Sequence, residues 1–422
     1  MTHLWFFWLF AGLFTLHQIW EVALTILNNQ EMEKNRGKIP DYFKDKIDAE
    51  RYAKSIAYNL AKARFGLVVR AYDVAVVWTI ILSGCLDLLD RWLSGFRLAP
   101  LIHSVVYCGA VGLALMVIRI PVSLYSHFVL EEKFGFNKMT GKTFVIDLIK
   151  GIVLGAALGG PILALVFWIY QKAGAWWWLW AFAAVYGFQF LMAAVYPTLL
   201  APIFNKFTPL PDGTLKEAIT NLAQKIRFKM SGIFTIDGSK RSAHSNAYFA
   251  GMGRMRRIVL FDTLQKQLTE REIIAVLGHE MGHNKLKHIQ KQLILGFVLS
   301  LAGFWILSVL MNWPPFFTAF GAGVPAPHKA LVIFSLFSGH FTFILPAITN
   351  GLSRKYEYQA DRFSVDVVKD PESMASALVA LCRENLSNLT PHPLYSFYHY
   401  THPTTLERVR AIQGLNFVSN QF

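Results

Sequence analysis

The stretch "VLGHEMGHNKLKH", Val276 to His288, places two histidines four residues apart with a glutamate directly after the first. On a helix, positions i and i+4 share a face, so His279 and His283 project together. Two neutral imidazoles on one face can bind a zinc ion. Glu280, one position round, stands beside the open coordination position, where it can take a proton from an attacking water. The competing reading is a solvated helix with incidental histidines. The residues before the stretch argue for the helix itself. Thr269 is followed three residues on by Glu272, a capping-box signature, and Ile273, Ile274, Val276 and Leu277 line one face.

A catalytic zinc needs a third protein ligand and leaves the fourth position to water. His288 lies five residues beyond His283, whereas the metzincin pattern needs a histidine six beyond, after a glycine. His288 therefore reads as an interfacial or supporting residue. "GLSRKYEYQADRFSVD", Gly351 to Asp366, offers a better partner. Glu357 and Asp361 are i and i+4 on a second probable helix, and Glu357 would complete a site of two histidines and one carboxylate. Asp361, one turn on, could fix the tautomer of a ligating histidine. The bland alternative for Glu357 is a surface glutamate among other charges.

Composition decides where such a site would sit. The chain of 422 residues is 54% hydrophobic and only 16% charged, with 12 tryptophans and 34 phenylalanines. Its mean hydropathy is +0.36. This is the composition of a polytopic membrane protein. Spanning helices take about 20 apolar residues. Seven segments qualify, at about 4–27, 66–89, 101–125, 145–170, 175–200, 293–312 and 330–350. The first lacks a basic leader and is too long for a cleaved signal, so it reads as a retained span. In the fourth, Gly151, Gly155 and Gly159 recur every four residues, a spacing that lets a neighbouring helix approach closely. Segments 28–65, 129–144, 201–290 and 351–422 hold 33 of the 41 Lys and Arg residues. Cytoplasmic loops collect such charge, which puts these segments in the cytosol and the N-terminus on the far side. The net charge of +14 is thereby read as orientation and lipid-headgroup charge, with the bilayer as partner and no nucleic acid. Cys85, Cys108 and Cys382 form no motif and give no disulfide framework.

Four regions follow. Residues 1–200 carry the first five spans, with cytosolic loops at 28–65 and 129–144. Residues 201–290 form a soluble α+β unit ending in the histidine helix. Residues 291–350 hold the last two spans, and 351–422 complete the metal site. In the soluble unit, "DGTLKEAITNLAQKIRF" is amphipathic, with Leu215, Ile219, Leu222 and Ile226 on one face. "SGIFTID" and "RRIVLFDTL" are short strands, and Asn246–Phe249 a possible edge strand between them. The histidine helix runs into the sixth span within about ten residues, and Glu357 follows the seventh by about seven. At about 1.5 Å per helical residue, both halves of the site are held near the membrane face.

These residues carry a resemblance that covers nearly the whole chain. "EEKFGFNKMT", "PIFNKFTPLPDG", "DGSKRSAHSNAYF", "RIVLFDTL", "LGHEMGHNK", "SRKYEYQAD" and "HPTTLERV" occur in this order between the expected spans. The chain resembles the integral-membrane CAAX prenyl protease family of type 1, zinc endoproteases acting on prenylated C-terminal Cys-aliphatic-aliphatic-X sequences. The resemblance implies a mainly α fold: a barrel of seven transmembrane helices around a large chamber, capped by a cytosolic zincin-like α+β metalloprotease domain. It implies one Zn2+ per chain on His279, His283 and Glu357, with Glu280 as general base. It makes Asp361 either a proton donor or a buried support. His402 would face the oxyanion, and Arg408 would support it through an ion pair. Asn246, Ala247 and Tyr248 match the edge strand that pairs with substrate, with Arg408 counted beside them. His244 either faces the same cleft or is structural. Arg119, Asp147 and Lys150 either line the chamber or pair with other residues.

Two features depart from the family. The chain ends "NFVSNQF", without a Lys-x-Lys-x-x retrieval signal, and the loop at 313–328 is short. Both lean towards a bacterial inner membrane over the endoplasmic reticulum. The partner expected is a prenylated or otherwise membrane-associated peptide or protein. Two rival functions stand beside this one. A quality-control membrane protease would share the site without a prenyl requirement. A transporter or scaffold would carry an inert metal.

Overall fold

The computed structural model describes residues 4–251 and 256–414. Its first helix, α1 (Leu4–Lys34), runs a full two turns past the expected span. The second, α2 (Ala49–Ser83), is N-capped by Asp48, whose carboxylate accepts from the Arg51 amide. It stops at Gly84, whose φ of 63° belongs to the left-handed region that glycine enters freely. The expected second span, 66–89, is therefore shifted towards the loop that precedes it. Residues beyond Gly84 form a separate helix, α3 (Cys85–Ser94). The third span is α4 (Pro100–Tyr125). The fourth is α5 (Gly141–Leu154) and α6 (Gly160–Lys172), joined by a wider π-type turn at Gly155–Gly159. A Cβ on Gly151, Gly155 or Gly159 would meet nothing within 4 Å. These glycines therefore seat no neighbouring helix. Two of them bound the π-type turn instead, where the helix widens.

The fifth span is α7 (Trp177–Val195). A strand, β1 (Phe207–Pro209), and helix α8 (Thr214–Lys225) open the soluble unit. There follow β2 (Gly232–Ile236), β3 (Ala247–Ala250), β4 (Arg257–Phe261) and α9 (Glu270–Lys285). The sixth span is α10 (His288–Leu310). The seventh is broken: α11 (Pro327–Phe341) and α12 (Leu345–Val368) meet at 71°. Helices α13 (Pro371–Glu384) and α14 (Thr405–Ile412) close the described chain.

The spans form a closed ring. Neighbours run α1, α2, α4, α6, α7, α10, α11 and back to α1. The α2–α4 contact rests on the Arg119–Asp73 ion pair (2.9 Å) and on Tyr72, whose hydroxyl donates to the Ile118 carbonyl at 2.8 Å. Only 6–22% of residues in the apolar windows of the six continuous spans are buried. A solid bundle would bury the whole inward face of each helix, so this ring encloses space. On its far side a buried polar knot ties α3, α4 and α11 together. Lys329, 1% exposed, donates to Asp87 and Asp90 at 2.8 Å each, and His103 and His328 meet Asp90 at 2.7 and 2.9 Å. Asp147 and Lys150 are also partnered. Asp147 takes Arg241 of the soluble unit at 2.8 Å, and Lys150 donates to the Ile203 carbonyl.

The soluble unit sits on the other side. Its sheet has the order β1-β2-β4-β3, with β2 and β4 parallel and the outer pairs antiparallel. Ile219 and Leu222 of α8 are buried with Ile258 and Leu260 of β4, as the amphipathic pattern requires. Leu277 and Met281 of α9 share that core. β1, absent from the sequence reading, is three residues long and ends in proline, too short for its alternation to register.

Candidate active site

Two helices build the site, α9 and α12. The capping box at Thr269 and Glu272 is formed in both directions and fixes the start of α9. Gly278 and Gly282 then face α12. A Cβ on Gly282 would lie 3.2 Å from the Ala360 Cα, and one on Gly278 would lie 2.8 Å from the Ser364 hydroxyl. Each glycine directly precedes a histidine. The close approach they permit carries His279 and His283 up to Glu357 and Asp361. Replacing Gly282 by leucine should cost about 1–3 kcal/mol by overpacking, read by chemical denaturation, and should weaken metal binding at the same time.

The three groups meet closely. His283 Nε2 lies 3.2 Å from His279 Nε2 and 3.2 Å from Glu357 Oε1, and His279 Nε2 lies 3.4 Å from Glu357 Oε2. Tetrahedral ligands about 2.0–2.1 Å from one zinc stand roughly 3.3 Å apart, so the spacing fits such an ion. The donors also face inward as lone pairs. His279 Nδ1 donates to Asp361 Oδ1 at 2.7 Å, so that in the neutral ring the lone pair sits on Nε2. His288 Nε2 donates to Gln359 Oε1 at 2.9 Å, so its Nδ1 accepts from His283 Nδ1 at 3.1 Å. His283 Nε2 is then also free. Glu357 Oε2 is buried without a hydrogen-bond partner. As neutral rings the two histidines turn their lone pairs and the carboxylate onto one point, an arrangement that a cation would join. The far-side knot of Asp90, His103 and His328 differs. Its distances are those of hydrogen bonds, and Lys329 already supplies the cation.

Glu280 projects beside this cluster, half-buried, with no hydrogen bond among the described residues. Burial pushes its carboxyl above the ordinary carboxylate range, against the opposing pull of His279 and His283. Asp361 is 2% exposed. It is gripped by Arg408 at 2.8 Å through Nε and 2.6 Å through Nη2. Arg408 is itself buried, and its Nη1 lies 3.6 Å from Glu357. Its ion-pair partners are thus the two carboxylates, Asp361 and Glu357. His402 is exposed, its Nε2 3.4 Å from Glu357 Oε1 and its Nδ1 2.9 Å from the Thr401 hydroxyl.

The edge strand lies beside α9. Ala247 and Tyr248 fall in β3, with Asn246 exposed just before it, and β3 pairs only with β4. Its outer edge can accept an extended peptide by β-augmentation. His244 is a cross-brace: its ring stacks on Phe136 at 4.0 Å, and it meets Asn385 at 2.9 Å and Glu131 at 3.3 Å. Helix α13 and the segment after the third span are thereby tied to the sheet. Arg354, which the sequence reading passed over, donates to the Phe397 and Tyr400 carbonyls at 2.8 and 2.7 Å, and so holds the loop that carries His402. Its position three residues before Glu357 was the available signal.

Comparison with known proteins agrees along the chain. Residues 28–206 match the model described as CAAX prenyl protease N-terminal, five membrane helices, and residues 209–416 match peptidase family M48. The CAAX prenyl protease 1 homolog of Arabidopsis thaliana is 38% identical over 87% of this chain and 88% of its own. The CAAX prenyl protease 1 of Saccharomyces cerevisiae is 35% identical over 95% and 93%. The crystal structure of S. mikatae Ste24p superposes with a TM-score of 0.89 at 34% identity, covering 96% of this chain and 98% of that one. With relatives this similar over nearly their whole length, and both halves of the chain matched, the chain belongs to the CAAX prenyl protease 1 family of M48 peptidases.

Proposed function

We propose that the chain is a zinc endopeptidase that cleaves prenylated CAAX proteins near their C-terminus. The observation that carries the proposal is the convergence of His279, His283 and Glu357 at 3.2–3.4 Å with their lone pairs inward. These three residues would hold one zinc ion, which when bound supplies Lewis acidity to a water and to the scissile carbonyl. Glu280 takes the proton from the attacking water at its carboxylate and returns it to the leaving amine. His402 holds the developing oxyanion through Nε2. Asn246, Ala247 and Tyr248 receive the peptide as an added strand, which fixes the carbonyl in front of Glu280. Asp361 acts through His279: at 2% exposure, and with both oxygens already bonded, it is better placed to orient the ring than to donate a proton. Arg408 supports Asp361 and Glu357 from behind, and so shapes the substrate site indirectly.

The soluble unit and the metal site face the cytosol on this reading, which rests on the charge asymmetry of the loops. The relatives compared are eukaryotic, so they give no support to the lean towards a bacterial membrane. The substrate reading draws on the names of those relatives. A quality-control protease would share every residue of the site.

The test is a pair of peptides, one farnesylated CAAX sequence and its unfarnesylated twin, given to the purified protein with its zinc quantified. We expect near one zinc per chain and a preference of at least about tenfold for the farnesylated peptide. Chelation should abolish cleavage, and added zinc should restore it. Equal cleavage of the two peptides would favour quality control, and cleavage that survives loss of the metal would defeat the assignment.

A further inference from the structure

The ring wall contains a cavity of about 480 Å³ between α1, α2, α4 and α11. That is within the ~300–1,000 Å³ typical of small-molecule sites. Its lining is graded along the membrane normal. Towards the metal side each of the four helices contributes a polar group: His17 and Gln18, Arg70 and Asp73 (with Gly66 and Val69 beside them on α2), Arg119, and His340. Those towards the far side are apolar on every helix: Phe14, Val77 and Ile80, Leu115, and Phe337. The charges at the polar end are already matched. Arg70 binds Gln18 at 3.1 Å and Glu21 at 2.8 Å, and Arg119 binds Asp73 at 2.9 Å. The mouth therefore offers no uncompensated charge to an ionic ligand, and the floor is hydrocarbon.

A series of neighbouring cavities lies between the mouth and the site. His17 is shared with a second cavity of about 420 Å³ at the bend of the seventh span, and that cavity shares His399 with a third, of about 430 Å³, beside His402. Glu21 lies between the two shared histidines, 3.6 Å from His17 and 3.5 Å from His399. His399 is three residues from His402, roughly 10 Å of chain at most.

We propose that this graded cavity is the seat of the substrate's S-isoprenyl chain, which enters floor-first while the peptide lies on β3. The inference rests on the reading of the substrate as prenylated. A more apolar cavity of about 380 Å³, lined by Leu163 and Phe304 among others, is less suitable. Tyr170, Trp177 and Pro327 line it at the far ends of their helices, so a chain tethered to a peptide at the metal would have to cross the barrel to reach it.

Two substitutions test the seat. A Cβ at Gly66, in the wall of the mouth, meets nothing within 4 Å, so the backbone there admits a side chain, and Gly66→Trp puts an indole at the entrance. Val77→Trp fills the floor. The readout is the ratio of kcat/KM for farnesylated over unfarnesylated peptide. We expect it to fall about tenfold or more in both variants and to keep its wild-type value in Leu163→Trp. A wild-type ratio retained in both Gly66→Trp and Val77→Trp would overturn the seat while leaving the prenyl preference standing. A wild type that cleaves both peptides alike would overturn the preference and the seat together. Independently of any substitution in the cavity, a farnesyl analogue with a photoreactive tip should label α2, α4 or α11 at the floor. Labelling around Leu163 and Phe304 would place the chain elsewhere and sink the proposal.

Discussion

Glu280→Gln should lower kcat by about 10²–10⁴-fold while the protein keeps its full complement of zinc, since proton transfer by one positioned group is worth that much. The amide has nearly the shape of the carboxylate and cannot accept a proton. Glu280 is neither one of the three converging groups nor hydrogen-bonded to anything described, so its replacement breaks no bond that holds the fold. Zinc content by elemental analysis and thermal unfolding should both match the wild type. A variant that retains a tenth of the activity would remove Glu280 from the reaction. A variant that loses its zinc would show the carboxylate to be part of the metal's coordination.

Arg408→Leu should destabilise the unit that carries the site by about 3–5 kcal/mol, the cost of leaving one partner of a buried ion pair uncompensated. The stranded group is Asp361, at 2% exposure and bonded to Arg408 through both oxygens. Zinc affinity should fall as well, by about 10–100-fold, because Asp361 orients His279 through Nδ1. Adding Asp361→Asn should recover part of the stability, since the buried charge is gone, but little of the affinity. That split, measured by denaturant titration and by metal competition, separates the two roles of the pair. Additive losses in the double variant would mean that Arg408 and Asp361 act independently.

The residues proposed to hold the metal were readable from sequence because their pattern is local. His279 and His283 need only the i,i+4 rule, and Glu357 with Asp361 repeats it on the next helix. Their meeting was not readable in the same way. It depends on the close approach at Gly278 and Gly282, whereas the glycines whose spacing stands out in an apolar span are Gly151, Gly155 and Gly159. The spacing is identical in the two sets. Only the identity of the neighbouring helix distinguishes them, and one chain read alone does not contain it. The seventh span posed a similar problem. Its hydropathy continues through Thr342–Ile344, where the helix turns by 71°. Arg408 lies 47 residues from its partner Asp361, beyond the reach of any periodicity. The strands and the amphipathic α8 were legible because each carries its own alternation, and the three-residue β1 was not.

The bend has a mechanical consequence. α12 carries Glu357 as the continuation of the seventh span, and α9 reaches the sixth span through Leu286 and Lys287 alone. On the proposed assignment, the ligands of one ion are therefore the tips of two levers whose other arms lie in lipid. A relative slip of 1 Å between those arms is about half a zinc–ligand bond length. Any sliding of the sixth span against the seventh is thus delivered, undamped by a long linker, to the spacing of His279, His283 and Glu357.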